Sequence, residues 1–254
     1  MKKSTNSPLW DAKPDHAETY DKYAVPQQQT ADELIEFIND ISPQKILEPG
    51  SGTGYYTKLL VNKFPTSQIT CVDLSATALQ AAKRLLPFNN ITFTRGDIEK
   101  MPLINYDLIT ANAVFQWIRD FPGWMNKVYD SLIPYGVTAF SYFGGSTYRE
   151  LAFAVKSVFG EEEQITSSQF HTIDEIRNIT SKFSASIIKT TDYTIEFASL
   201  RDLLLSIRAT GTRGRKVNAP IWTKGKYNLI EKIYNDEFGG IKVTYNVILY
   251  RGVK

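Results

Sequence analysis

The chain has 254 residues, of which 43% are hydrophobic, 22% charged and 13% aromatic; this fits a folded globular protein and excludes disordered, collagenous and disulfide-stapled classes. Its 29 basic residues face 27 acidic ones, a net charge of +2, so no global field points to nucleic acid or a membrane surface. Cys71 is the one cysteine, residues 1–8 lack the apolar core of a signal peptide, and no apolar run nears the roughly 18 residues of a membrane span. A cytoplasmic protein without membrane or nucleic-acid partners, and a monomer, is expected. His16, His171 and Cys71 stand far apart, so no His/Cys metal site is expected, and both histidines are assigned to the surface.

In chain order, residues 11–41 predict two helices separated near Pro26. From 45 to 143 short β-branched runs alternate with longer amphipathic stretches, the pattern of a parallel βαβ sheet. A strand over 45–48 ends in a glycine turn. A helix over 53–64 follows, with Tyr56, Leu59, Leu60 and Phe64 on its buried face. A second strand covers 68–73, and Ser75 starts a helix in which Leu79, Ala82, Leu85 and Leu86 recur until Pro87 stops it. Strands over 91–94 and 106–111, a helix over 121–131 and a strand over 137–143 after a Pro134-Tyr135-Gly136 turn complete this core.

Beyond it, residues 146–159 predict a helix after Gly144-Gly145. Thr172-Ile173-Asp174-Glu175 has the form of a capping box, opening a helix to about residue 182. Residues 187–197 and 241–250 alternate like antiparallel strands able to close the sheet edge as a hairpin. Helices over 200–209 and 224–238 lie between them, joined by a loop rich in Gly and Arg.

Glu48-Pro49-Gly50-Ser51-Gly52-Thr53-Gly54 falls between a predicted strand and a predicted helix, where glycines let backbone approach a nucleotide-like ligand. A dinucleotide fingerprint fails, because Tyr55 stands where the third glycine of G-x-G-x-x-G should be. A phosphate loop is disfavoured too, since no lysine follows and Glu48 would repel the phosphate. E-x-G-x-G-x-G does fit. Asp73 ends the second strand, where it can accept from ribose hydroxyls. Gly96-Asp97-Ile98 follows the third strand and Asn112 the fourth.

With that constellation the sequence resembles the class I S-adenosylmethionine-dependent methyltransferases. The resemblance implies a cofactor site built from Glu48, Gly50, Gly52, Gly54, Asp73, Leu74, Asp97, Ile98 and Asn112, with Asp97 near the adenine and Asn112 near the methionine portion. It narrows to the biotin-pathway malonyl-acyl-carrier-protein O-methyltransferases through four stretches. These are Ala17 to Ala24 with Gln27 to Gln29; Asn112-Ala113-Val114-Phe115-Gln116-Trp117; Phe143-Gly144-Gly145 with Glu150-Leu151; and Leu204 to Gly211 with Thr244-Tyr245. Pro49, Ser51 and Pro134-Tyr135-Gly136-Val137 depart from that family's usual residues.

The fold then implied is α/β, a Rossmann-like, seven-stranded, mostly parallel sheet with an antiparallel C-terminal strand and helical cap segments. A single domain is expected: 1–43 as helices over the site, 44–145 as cofactor-binding core, 146–240 as cap and 241–254 as closing strand. The activity implied is methyl transfer from S-adenosylmethionine to the free carboxyl of malonyl-acyl carrier protein, with malonyl-coenzyme A as a possible smaller substrate. Such a carboxylate is ionised near neutral pH and needs placement rather than a base. Arg208 is the expected bidentate partner for it and Tyr20 a phenol donor, with Gln116 and Trp117 walling the chamber. Residues 201–226 carry seven cationic side chains (Arg201, Arg208, Arg213, Arg215, Lys216, Lys224, Lys226) against Asp202, a patch suited to an acidic carrier. Two alternatives stay open: a methyltransferase for another small carboxylate, and a non-catalytic module binding protein or RNA through the basic segment.

Overall fold

A computed structural model describes residues 16–210 and 222–254. Two helices open it, α1 (His16–Tyr23) and α2 (Val25–Glu36). The break falls at Ala24, and Pro26 sits in the first turn of α2, where its missing N–H costs nothing. The expected alternation follows as β1 (Lys45–Pro49), α3 (Tyr55–Lys63), β2 (Gln68–Asp73), α4 (Ala76–Leu85), β3 (Ile91–Arg95), β4 (Tyr106–Asn112), α5 (Phe121–Ser131) and β5 (Leu132–Phe143). The cap comprises α6 (Arg149–Phe159), α7 (Ile173–Ile179), β6 (Ser184–Phe197), α8 (Leu200–Ala209) and α9 (Lys224–Phe238), and β7 (Ile241–Val253) closes the chain.

All seven strands form one sheet in the order β3-β2-β1-β4-β5-β7-β6. β1 to β5 run parallel, and β7 is antiparallel to both neighbours. The middles of the central strands are apolar on both faces because helices cover both: Ile46, Leu47, Leu108 and Ile109 are fully buried. β1 pairs with β2 on one side and β4 on the other, so the order reverses there and opens a crevice at the strands' C-terminal ends.

Side-chain caps set several helix starts, as Ser75 does by accepting from the Ala78 N–H at 3.2 Å. Thr172 and Glu175 form the expected capping box, although α7 ends at Ile179. Other expectations shift. Pro134-Tyr135-Gly136 lies inside β5 instead of before it: Tyr135 has φ +63°, and pairing jumps from Tyr106↔Leu132 to Leu108↔Val137, so the extra residues bulge out without ending the strand. α6 starts at Arg149, because Tyr148 takes a left-handed conformation (φ +62°). β6 and β7 pair antiparallel and close the sheet edge as expected, β7 beside β5 and β6 outermost, with α8 and α9 between them in the chain. His171 is half-buried, not a surface residue, with Nδ1 2.7 Å from the Tyr142 hydroxyl.

Candidate active site

The glycine turn sits at the C-terminal end of β1, and its three glycines do three different things. Gly50, at φ +66°, faces Val114, whose Cγ2 and Cγ1 would stand 2.5 and 2.6 Å from an added Cβ. Gly54, at φ +94°, packs the start of α3 against α4, where a Cβ would meet Leu86 at 3.0 Å and Ala82 at 3.1 Å. Gly52, at φ +54°, has nothing within 4 Å of the same position. Gly52 itself lines a cleft with Tyr20, Asp21, Gln27, Glu48, Thr53 and Asn112.

Asp73 lies behind that loop and ties it down. Its Oδ2 accepts from the Gly52 N–H at 2.8 Å and its Oδ1 from the Ser75 N–H at 2.8 Å. Burial pushes its carboxyl above the usual range, and the backbone bonds from Ser75, Gly52 and Leu74 oppose that shift. Glu48 accepts from the Thr57 hydroxyl at 2.7 Å, with the Cys71 thiol 3.4 Å from the same oxygen. Burial pushes the Glu48 carboxyl up to about 8 against the pull of those two bonds. At the end of β4, Asn112 donates to the Gln27 main-chain oxygen at 2.8 Å and accepts from Ser141 at 2.6 Å. This bond spans 85 residues and fixes α2 over the crevice.

From α1, Tyr20 enters the cleft. Close packing around its phenol, with Asp21 and then Asp73 nearby, pushes its pKa up, so it is an O–H donor and no base at neutral pH. Asp21 accepts from Thr53 at 2.7 Å, a second tie between the N-terminal helices and the glycine turn.

Among the described residues the lining holds the carboxylate of Asp21, the carboxyl of Glu48, which burial keeps largely protonated near neutral pH, and no Lys or Arg, so it offers acceptors to a cationic ligand and no cationic partner to a phosphate. Two further polar atoms in that lining, Gln27 Oε1 and Ser51 Oγ, are buried without a partner, a cost that a bound polar ligand removes. The open side of Gly52 leaves room for such a ligand. These features fit S-adenosylmethionine, whose sulfonium and ammonium are cationic and which has no phosphate.

Of the residues singled out from sequence, Tyr20, Glu48, Gly50, Gly52 and Asn112 thus converge, with Asp73 joined through Gly52. Leu74 follows β2 and accepts from Arg95 at 3.1 Å. Asp97 and Ile98 follow β3; Asp97 pairs with Lys100 at 3.2 Å and with Arg119 at 3.3 Å, and Ile98 is buried. These three stand on the adjoining strand ends rather than in the cleft lining, and Gly54 faces α4. Gln116 and Trp117 occupy a short 3-10 turn just past Asn112. Gln116 is buried and donates to the Ala113 carbonyl at 2.8 Å, while Trp117 meets Phe170 edge-on at 5.4 Å. Arg208 is exposed on α8, away from that helix's buried face of Leu200, Leu203, Ser206 and Ile207. α8 packs on α1, the helix that carries Tyr20. Arg213, Arg215 and Lys216 fall outside the described residues.

Sequence reasoning gave no role to Asp21, Gln27, Ser51 or Thr57. Asp21 and Gln27 lay in stretches that carried the family resemblance, which was the available signal. Their partners in the glycine turn and β4 are set only by folding.

The sheet order and the acid-lined cleft at its reversal point define a Rossmann-like methyltransferase of class I. A family model described as a methyltransferase domain matches residues 47–138. The chain is 36% identical to malonyl-[acyl-carrier protein] O-methyltransferase 1 of Ilyobacter polytropus, over 92% of this chain and 89% of that protein. It is 31% identical to the Priestia megaterium malonyl-[acyl-carrier protein] O-methyltransferase, over 94% of each. Among solved structures, Haemonchus contortus phosphoethanolamine N-methyltransferase 2, with S-adenosylhomocysteine, has the same fold: its TM-score is 0.61 at 16% identity, over 96% of this chain and 59% of that one. The chain belongs to the malonyl-[acyl-carrier protein] O-methyltransferase family.

Proposed function

We propose that this protein transfers the methyl group of S-adenosylmethionine to the free carboxylate of a malonyl group held on acyl carrier protein, a step in making a biotin precursor. The observation that carries this reading is near full-length similarity to proteins of that name, at 36% identity for the Ilyobacter polytropus relative. The cleft's chemistry agrees with it. S-adenosylmethionine, when bound, supplies an electrophilic methyl on a cationic sulfur. Asp73, Gly52 and Asn112 hold the cleft in shape, and Asp21 gives its lining a carboxylate that favours a cation.

The acceptor carboxylate is ionised near neutral pH and needs no general base. The protein's work is to bring its oxygen within about 3 to 3.5 Å of the methyl, in line with the departing sulfur, and to keep water out. Tyr20, kept protonated, is proposed to donate to that carboxylate from the cleft wall. Arg208 is proposed as its bidentate partner from the helix that packs on α1; Gln116 and Trp117 are proposed to bound the chamber just past Asn112. Leu74, Asp97 and Ile98 are proposed to border the adenine. The whole chain is proposed to act as one domain in a monomer.

A carrier-borne substrate is supported by the exposed outer side of the cap. Arg201 and Leu205 lie one turn apart on α8, and Lys224 and Lys226 continue the exposed cationic surface on the first turn of α9. The Leu200 N–H donates to Glu231 at 3.3 Å and joins the two helices. Acyl carrier proteins are acidic, so this surface can steer their approach.

Intact-mass analysis of malonyl-acyl carrier protein incubated with the protein and S-adenosylmethionine, beside malonyl-coenzyme A, tests the reading. A one-methyl gain that base hydrolysis removes is expected on the carrier protein. Cofactor binding with no gain on either substrate overturns the assignment of malonyl as acceptor.

A further inference from the structure

Gln27 is a buried polar side chain that the methyl-transfer reading leaves without a task. It sits on α2, is 7% exposed and lines the same cleft as Glu48, Gly52 and Asn112. Its main chain is well occupied: the carbonyl oxygen accepts from Asn112 Nδ2 at 2.8 Å and from the Thr30 hydroxyl at 2.9 Å. Asn112 is held in turn by Ser141, whose hydroxyl also accepts from the Ala113 N–H at 2.7 Å. The backbone of Gln27 is therefore clamped to the ends of β4 and β5. Its side-chain carbonyl, Oε1, is buried with no partner.

A buried acceptor held this firmly and left unpaired costs free energy unless a ligand donor meets it. The surroundings say which kind of donor. Ser51 Oγ, in the same lining, is also buried and unpartnered. Asp21 adds a carboxylate to the lining, and no Lys or Arg stands in it among the described residues. An acceptor amide, a free hydroxyl and a carboxylate together recognise a primary ammonium, which offers several donors and a positive charge.

We propose that Gln27 is a cofactor-binding residue whose side-chain carbonyl accepts a hydrogen bond from the α-ammonium of the cofactor's amino-acid tail, with Ser51 completing the polar subsite. This rests on the reading of the cleft as an S-adenosylmethionine site and deepens it. The side chain selects ligands by their aminoacyl end, not by their nucleoside.

Two ligands separate those ends. S-adenosylhomocysteine carries the ammonium and carboxylate, whereas 5′-methylthioadenosine keeps the nucleoside and sulfur and lacks both. Binding of each is measured by calorimetry on the wild-type protein, Gln27→Leu and Gln27→Glu, with thermal unfolding run in parallel. Gln27→Leu keeps the main-chain carbonyl that Asn112 and Thr30 use. It is expected to weaken S-adenosylhomocysteine binding by about tenfold or more, the scale of a hydrogen bond to a charged group, and to leave 5′-methylthioadenosine within about twofold. Gln27→Glu keeps an acceptor and adds charge, so it should bind S-adenosylhomocysteine at least as tightly as wild type. Equal weakening of both ligands, no weakening of either, or a Gln27→Glu variant as impaired as Gln27→Leu overturns the proposal. Should Gln27→Leu fail to fold, Gln27→Glu decides it alone. If wild-type protein binds neither ligand, the failure belongs to the cofactor reading itself.

Discussion

Alanine at Gly52 and alanine at Gly50 place a methyl group in different surroundings of the same turn, one open and one against Val114, and the two changes should fail in different ways. Both residues have a left-handed backbone, at φ +54° and φ +66°, and a Cβ there costs about 1 to 2 kcal/mol. At Gly52 that is the whole structural cost, because nothing lies within 4 Å of the new atom. A domain of this size loses about 2 to 4 °C of Tm per kcal/mol, so Gly52→Ala should remain folded. Its methyl group, however, would occupy space on the cleft side, and S-adenosylhomocysteine binding should weaken by about tenfold or more. At Gly50 the Cβ would stand 2.5 Å from Val114 Cγ2, adding an overpacking cost of about 1 to 3 kcal/mol to the backbone strain. Gly50→Ala should therefore lose clearly more Tm than Gly52→Ala. Adding Val114→Ala should restore part of that loss, a coupling expected between touching residues. Differential scanning fluorimetry and calorimetry read both quantities. Equal Tm losses, or unchanged ligand affinity in Gly52→Ala, would refute the assignment of the turn's open side to the cofactor.

Other expectations follow from the same geometry. Burial raises the Glu48 carboxyl from its ordinary 4.5 to about 8. The folded state therefore keeps a proton that the unfolded chain has already lost between those values. Its stabilising contribution is complete below the lower value and disappears as pH rises through the upper one. Tm should fall across that window, less so in Glu48→Gln; parallel pH profiles for the two proteins would contradict the shift. Arg208→Ala should leave cofactor binding nearly unchanged while turnover of malonyl-acyl carrier protein drops about tenfold or more, and equal loss of both would remove Arg208 from substrate binding. Raising the salt concentration should increase KM for malonyl-acyl carrier protein more than for malonyl-coenzyme A; identical salt responses would argue against docking on the α8–α9 surface.

Local sequence determined the alternating elements from 45 to 143 and the glycine turn. Hydrophobic period and turn residues are short-range signals; β1 to β4 lie where those signals put them, and β5 contains the strand expected over 137–143 but starts earlier, at Leu132. They also determined the acid at each successive strand end, because Glu48 and Asp73 sit in the last residues of β1 and β2 and Asp97 just past β3. What folding alone decided is which neighbours those residues acquire. Gly50, Gly52 and Gly54 look equivalent in the chain, yet Val114, an open cleft and Ala82 give them separate duties. The bulge that carries Pro134 through β5 depends on β4 alongside it, and the place of β7 inside the sheet depends on β5. Arg208 shares its helix with Leu203 and Ile207, and only packing on α1, β6 and β7 determines which side of that helix is exposed. Gln27 and Asn112 are 85 residues apart and meet through one hydrogen bond of 2.8 Å. No periodicity encodes that contact; it exists because the sheet reverses its order between β1 and β4 and leaves a crevice that α2 covers.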